Sequence, residues 1–267
     1  MDLAIVIVHG SWHTPQHYTL LTSALKSKGF ANVQCPRLPS AVDKLPIPPN
    51  ANLANDTLEI HQQVESLADA GHPILLILHS YGGVVGGNAL NDLLWPQRQA
   101  ANKPGGVVHL VYAAAFIIPA NTSLLTPFDG NMVPWLDEDT VNGTIEHPDP
   151  REANYNDIKD DAKAQEWLDM CVLCPASVVR DETSSDPYEH IGKGVDATYL
   201  VCKGDTRLTM AAQEKMAELL GEKRVMMYCE AGHCPMITQP GILAEVVMEA
   251  WVRSREGLGL DRRVSQG

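Results

Sequence analysis

An apolar run that passes without a spacer into a serine and two glycines constrains this chain more than any other sequence feature. Residues 74–78 are continuously apolar, and His79-Ser80-Tyr81-Gly82-Gly83 follows directly. Continuous apolar runs are typical of parallel strands buried on both faces. A strand that meets a helix at a serine makes a sharp turn, where small residues are needed because the backbone is crowded. The segment therefore predicts a parallel sheet with a helix packed on it directly after Ser80.

Further short apolar runs alternate with stretches of helical spacing along the rest of the chain. This alternation is typical of βαβ units and predicts an α/β fold, with a mostly parallel central sheet and helices on both faces. Gly29 and Gly71 follow two of the predicted helices and fit left-handed C-caps. The predicted strands are residues 3–8, 33–35, 74–78, 107–113, 197–202 and 225–229, and the predicted helices are residues 16–28, 53–70, 210–220 and 240–253.

A length of 267 residues suits one sheet-centred domain, which we assign to residues 1–267. The segment from about 119 to 191 breaks the alternation and is rich in Pro, Asp and Asn. Its helical part, around residues 157–170, is expected to pack over the strand ends as a cap. A plain surface excursion is the alternative.

The charge balance narrows the range of partners. The chain has 33 acidic and 20 basic side chains and a net charge of -13, which disfavours nucleic acid and anionic membranes. The first apolar run is too short for a signal or membrane segment, so we expect a cytoplasmic protein with reduced cysteines and no structural disulfide. The expected partner is a small-molecule substrate, and a homodimer is one assembly that the sequence permits.

Ser80 is the candidate nucleophile, although its surroundings depart from the usual pattern at one position. Leu78 lies two residues upstream, where a small residue is typical. The glycines of the following helix would provide room for it by letting that helix approach closely. A serine that merely caps a helix after a buried strand is the alternative interpretation.

A nucleophilic serine requires a base and a carboxylate that orients the base. Enzymes with a nucleophilic serine at a strand-to-helix turn of this kind carry the three residues in the chain order Ser, Asp or Glu, His. Asp205 comes directly after the predicted strand 197–202, and His233 follows the strand 225–229. Both lie at carboxyl ends of strands, where parallel sheets place their sites. Asp196 precedes its strand and Glu230 is too close to His233 in the chain, so Asp205 is the better candidate acid.

Two backbone amides should form an oxyanion hole, one from the residue after the nucleophile and one from the loop after an early strand. Tyr81 supplies the first. Ser11 is the choice for the second, with Trp12 close behind, because Gly10 permits the turn that this loop needs.

Three other patterns do not fit a metal or cofactor site, so no metal and no cofactor are expected. His9, His13 and His17 have helical spacing, but Pro15 indicates a turn before any helix begins. Cys171-Val-Leu-Cys174 is a single CxxC without a second pair at zinc spacing. The glycines after Ser80 match neither the dinucleotide nor the phosphate-loop motif.

The chain resembles the α/β-hydrolase superfamily over nearly its whole length, in the branch of small esterases related to plant methylesterases and hydroxynitrile lyases. Cofactor-free fungal and bacterial hydrolases are similar in the same places. The resemblance implies a cap after Phe116 and a pocket lined by Trp12, Tyr81, Phe116 and Trp135. It also implies catalytic roles for Ser80, Asp205 and His233 and for the amides of Ser11 and Tyr81. The matching segments are VHGSWHTPQHY, LHSYGGVVGG, VYAAAFIIP, CKGDTRLT and EAGHCPMITQP.

These features favour hydrolysis of a carboxylic ester or lactone of a small to medium apolar molecule through an acyl-enzyme. Two alternatives stay open on the sequence. One is a lyase or carbon-carbon bond hydrolase on the same scaffold. The other is a non-catalytic ligand-binding protein, for which Leu78 is the sequence argument.

Overall fold

A six-stranded parallel sheet forms the centre of the computed structural model, which describes residues 2–186, 190–191 and 194–257. The strand order is β2-β1-β3-β4-β8-β9, and each predicted strand is confirmed to within two residues. The strands are β1 (Ala4–Val8), β2 (Asn32–Gln34), β3 (Pro73–His79), β4 (Gly106–Ala113), β5 (Asp137–Asp139), β6 (Thr144–Glu146), β7 (Cys174–Pro175), β8 (Asp196–Cys202) and β9 (Val225–Cys229).

Helices cover both faces of this sheet, as expected for an α/β fold. The helix predicted for residues 16–28 is divided, because its first turn is a 3-10 helix, Pro15–Tyr18, before α1 begins at Thr19. The helices are α1 (Thr19–Ser27), α2 (Leu53–Asp69), α3 (Gly82–Asn88), α4 (Trp95–Ala100), α5 (Pro150–Tyr155), α6 (Asp161–Leu168), α7 (Ser177–Arg180), α8 (Met210–Glu218), α9 (Pro235–Thr238) and α10 (Pro240–Gly257), with a second 3-10 helix at Thr126–Phe128.

Alternate residues of the central strands supply two separate cores. Val6 and Leu76 face the layer that contains α2 and α3, whereas Ile5 and Leu75 face the layer that contains α1 and α10. All four side chains are fully buried. A strand covered on both faces must be apolar at every position, which explains why the sequence shows continuous apolar runs here.

The segment between β4 and β8 contains more than the helical cap expected from the sequence. It holds α5, α6 and α7 and also a small antiparallel sheet with strand order β5-β6-β7. The β5 strand is Asp-Glu-Asp and β7 has two residues, so neither shows the alternating apolar pattern that predicts a strand. Positions 187–189 of this insertion lie outside the described residues.

The insertion contacts the loop that follows β1. The Trp12 indole Nε1 donates a hydrogen bond to the Ile145 carbonyl at 3.0 Å, and the Val172 amide donates to the Trp12 carbonyl at 2.9 Å. These bonds hold the insertion against the carboxyl end of the sheet. Among the helices of the described residues, none is long and apolar enough to cross a membrane.

Candidate active site

Ser80 lies between the end of β3 and the first turn of α3, in a backbone conformation that is unusual for serine. Its φ is +52°, in the left-handed region where a side chain is strained. A Cβ on Gly82 would lie 2.2 Å from the Val8 carbonyl oxygen, and one on Gly83 would lie 2.2 Å from the Phe116 carbonyl oxygen. Only glycine fits these two positions, because the first turn of α3 contacts the end of β1 and the loop that follows β4.

The same helix explains how Leu78 is accommodated. A Cβ on Gly86 would lie 2.3 Å from Leu78 Cδ2, so the leucine side chain occupies the space that any other residue at position 86 would fill. Leu78 is completely buried. A small residue on the helix thus replaces the small residue expected on the strand.

The side chains of Ser80, His233 and Asp205 form one continuous hydrogen-bonded chain. Ser80 Oγ lies 3.0 Å from His233 Nε2, and His233 Nδ1 lies 2.7 Å from Asp205 Oδ2. The three residues are 2%, 1% and 5% exposed, so bulk water does not compete for these bonds. The two carboxylates that competed with Asp205 lie elsewhere. Asp196 starts β8 at its opposite end, and Glu230 pairs with Lys203 at the surface.

A second hydrogen-bond chain, which sequence reasoning missed, lies behind His233. His79 Nε2 donates to the His233 carbonyl at 2.8 Å. Its Nδ1 must then accept from the Tyr18 hydroxyl at 2.7 Å, and that hydroxyl accepts from the Gly10 amide at 3.0 Å. Burial holds the pKa of His79 well below its usual value, so the ring is neutral. The chain connects the loop after β1 to the loop of His233, and the sequence carries no pairing signal for Tyr18 and His79.

The backbone amides of Ser11 and Tyr81 are the two candidate oxyanion donors. Within the described residues, neither amide donates a hydrogen bond to a protein acceptor. The loop of Ser11 lies in close contact with Ser80, since a Cβ on Gly10 would lie 2.9 Å from Ser80 Cβ. The Tyr81 hydroxyl is anchored on Asp56 Oδ2 at 2.9 Å, and burial raises the pKa of that carboxyl to about 6.

The predicted lining residues occupy different positions. Trp12 and Phe116 are half-buried, and the Phe116 amide donates to the Ser80 carbonyl at 3.0 Å. Tyr81 is buried, with its ring directed to Asp56. Trp135 is 45% exposed and meets Phe128 edge to face at 5.3 Å between ring centres. Among the described residues, no hydrogen bond, ion pair or ring contact joins Trp135 to the other candidate site residues.

Potential metal ligands meet near the second hydrogen-bond chain. Ligand atoms of His13, His17 and Cys171 lie within 4.8 Å of one another, and the two imidazoles stack with centres 4.4 Å apart. The 3-10 helix that begins at Pro15 brings the two histidines together. The sequence argument considered only α-helical spacing and therefore did not predict this contact. His9 lies apart, where its Nε2 accepts from the Leu38 amide at 3.0 Å.

Comparison with known proteins identifies the family and the fold of this chain. A model of the alpha/beta hydrolase family matches residues 5–246. Alpha/beta hydrolase nvfD of Aspergillus novofumigatus (strain IBT 16806) is 26% identical over 253 residues, which cover 92% of this chain and 96% of that protein.

Two solved structures share the fold. One is an extracellular alpha/beta-hydrolase from a Paenibacillus species, with a TM-score of 0.72 and 21% identity over 93% of this chain and 98% of that chain. The other is the methylesterase MES16 from Arabidopsis, with a TM-score of 0.69 and 16% identity over 94% of this chain and 99% of that chain.

Proposed function

The chain belongs to the alpha/beta hydrolase family, and we propose that it cleaves a carboxylic ester or lactone through an acyl-enzyme on Ser80. The observation that carries this proposal is the continuous chain from Ser80 Oγ through the His233 imidazole to Asp205. A serine hydroxyl, an imidazole and a buried carboxylate in this order are the groups that nucleophilic acyl transfer requires.

The proposed reaction begins when Ser80 Oγ attacks the substrate carbonyl and His233 Nε2 removes the hydroxyl proton. The negative charge of Asp205 stabilises the imidazolium that forms and keeps a proton on Nδ1. General base catalysis of this kind contributes about 10²–10⁴-fold to the rate. His233 then protonates the leaving alcohol. In the second half of the reaction, water attacks the acyl group while His233 Nε2 removes a proton from the water, and His233 then returns that proton to Ser80 Oγ.

The amides of Ser11 and Tyr81 are proposed to donate to the oxyanion of the tetrahedral intermediate. Each such donor lowers the barrier by about 2.7–4 kcal/mol in enzymes where one has been removed. The strained φ of Ser80 supports this assignment, because at a strained strand-to-helix turn of this kind the residue after the nucleophile supplies one of the oxyanion amides.

An apolar substrate with a carboxylic ester or lactone group is the class that the site supports best. Trp12 and Phe116 are half-buried aromatic residues of two loops that contact Ser80. Both are candidates to contact an apolar acyl or alcohol group. A methylesterase is among the proteins that share the fold, which favours ester cleavage. The accommodation of Leu78 by Gly86 removes the sequence argument for a non-catalytic protein.

The proposal is tested with 4-nitrophenyl butyrate and the variant Ser80→Ala. We expect the wild type to release a burst of 4-nitrophenol and a fluorophosphonate to label Ser80, as an acyl-enzyme requires. Ser80→Ala should reduce kcat by about 10⁴-fold or more. Ser23→Ala, on the exposed face of α1, is the matched control and should keep full activity.

Two results would reject the mechanism. One is turnover by Ser80→Ala at the wild-type rate. The other is cleavage of esters by a wild type whose Ser80 is not labelled by the fluorophosphonate, which would favour a reaction without an acyl-enzyme.

A further inference from the structure

Arg207, at the edge of the candidate active site, carries a charge that the proposed hydrolysis does not use. We propose that Arg207 is a carboxylate-binding subsite, so that the natural substrate carries one carboxylate in addition to its apolar part and the bond that is cleaved. This inference rests on the proposed hydrolysis for its position in the reaction, but the binding of an anion by Arg207 can be tested separately.

Arg207 connects two parts of the candidate active site. Its backbone amide donates to Asp205 Oδ1 at 2.9 Å, so its backbone belongs to the turn that positions the acid. Its guanidinium carbon lies 4.3 Å from the centre of the Trp12 ring. Trp12 directly follows Ser11, whose loop presses on Ser80 through Gly10. The cation therefore lies at the rim of the site, between the loop of the acid and the loop of the proposed oxyanion hole.

The guanidinium of Arg207, which is half-buried, has few protein partners. Its Nη1 donates to Asn154 Oδ1 at 2.8 Å, and within the described residues Nε and Nη2 have no acceptor. The nearest carboxylate in the turn, Asp205, already accepts from His233 and from the amides of Arg207 and Leu208. Burial lowers the pKa of Arg207, because the charged form loses hydration that its few protein partners do not fully replace.

Other arginines in the described part of the chain show what Arg207 lacks. Arg37, Arg98, Arg151 and Arg180 each form an ion pair with a carboxylate. For Arg180, both Nε and Nη2 point at Glu138, at 3.3 and 2.6 Å. The free edge of Arg207 has the same two nitrogens, and this planar fork matches the two oxygens of a carboxylate.

The position of the guanidinium is set before any ligand arrives. Asn154 holds Nη1, the Trp12 ring supports the flat face, and the Trp12 indole is itself held by the Ile145 carbonyl at 3.0 Å. A preorganised cation loses little side-chain entropy on binding. The net charge of -13 repels an anionic substrate, and a positive charge at the rim of the site offsets this repulsion locally.

The inference is tested with pairs of esters that differ only in charge. The probes are mono-4-nitrophenyl succinate, glutarate and adipate and their neutral methyl esters, since the chain length must match the distance from Ser80 to the guanidinium. For the best length, Arg207→Gln should lower kcat/KM for the anionic ester by about tenfold or more. The neutral methyl ester should change by less than about threefold.

Two variants serve as controls for charge and fold. Arg37→Gln removes an arginine from an exposed ion pair with Asp43 and should leave the ratio of the two esters unchanged. Arg207→Lys keeps a positive charge without the planar fork and should restore part of the preference for the anionic ester. An equal loss on both esters would overturn the subsite, since it would mean that Arg207 acts through Asp205 or Trp12.

A binding measurement separates this inference from the proposed hydrolysis. In the Ser80→Ala background, calorimetry with the anionic ester should show an affinity that Arg207→Gln weakens by about tenfold or more, with the neutral ester unaffected. This result would support the subsite even if no ester were cleaved by the wild type. Equal affinities of Ser80→Ala and Ser80→Ala/Arg207→Gln for every anionic ester would reject it.

Discussion

At the scale of single residues, Asp205 uses both of its carboxylate oxygens to set the tautomer of His233. Oδ2 lies 2.7 Å from His233 Nδ1, and Oδ1 accepts from the amides of Arg207 and Leu208 at 2.9 and 2.8 Å. A carboxylate held in this way can only accept, so the proton of a neutral His233 must be on Nδ1. Nε2 is then the acceptor that faces Ser80, which is the tautomer that a general base needs.

Replacing Asp205 by asparagine should therefore remove activity while leaving the fold in place. The amide can donate to His233 Nδ1 and favours the wrong tautomer, and in serine proteases such a change costs about 10⁴-fold in kcat. We expect a loss of this order with little change in KM, measured on 4-nitrophenyl butyrate. Asp196→Asn is the control, because Asp196 is exposed at the start of β8, the strand that Asp205 follows. A loss of activity in Asp196→Asn and none in Asp205→Asn would contradict the assignment.

At the scale of secondary structure, the contact between β3 and α3 depends on complementary sizes. Leu78 on the strand fills the volume above Gly86 on the helix, where a Cβ would lie 2.3 Å from Leu78 Cδ2. This close approach places the start of α3 behind Ser80. Gly86 on the helix thus provides the room that a small residue at position 78 would otherwise provide.

Substitutions at the two positions should be strongly coupled in their effect on stability. Gly86→Ala should lower the free energy of unfolding by about 1–3 kcal/mol, because it overpacks the contact. Leu78→Ala should lower it by about 2–5 kcal/mol. The double variant should lose less than the sum, since the truncated side chain leaves room for the new methyl group.

Urea denaturation of the three variants measures this coupling. Gly241→Ala is the matched control, because α10 has nothing within 4 Å of a Cβ at that position, and it should be neutral or slightly stabilising. Strict additivity of Gly86→Ala and Leu78→Ala would show that the two positions do not share the contact.

At the scale of the whole molecule, buried neutral histidines link stability to pH. Burial lowers the pKa of His9 to about 4 and that of His109 to about 3. It also holds the pKa values of His13 and His79 well below the usual 6.5 and lowers that of His17. Below pH 6.5 the unfolded chain therefore binds protons that the folded protein does not, and stability falls as the pH falls.

We expect the free energy of unfolding to decrease between pH 7 and pH 5. His9 and His109 should each contribute about 2 kcal/mol to this loss, at about 1.4 kcal/mol per pKa unit. Asp56 has the opposite sign, because its pKa of about 6 is raised, and it should offset about 1 kcal/mol. Urea midpoints at several pH values measure the sum, and His109→Gln should make the dependence shallower. A midpoint that is constant or rises on acidification would contradict this account.

Much of the architecture was predictable from local patterns in the chain. The strands of the central sheet follow from continuous apolar runs, because strands covered on both faces have no polar side. The order of Ser80, Asp205 and His233, each at the carboxyl end of a strand, indicated that they would meet at one edge of a parallel sheet. These signals depend only on neighbouring residues and on chain order.

Contacts between distant segments were decided only by the tertiary structure. The polar strand β5 and the two-residue β7 carry no apolar period, and nothing in the chain pairs Tyr18 with His79 or places Arg207 over Trp12. Such contacts depend on how side chains far apart in the chain pack once the sheet has formed. The sequence by itself therefore determined the fold and the order of the candidate catalytic groups, whereas three-dimensional packing decided what surrounds them.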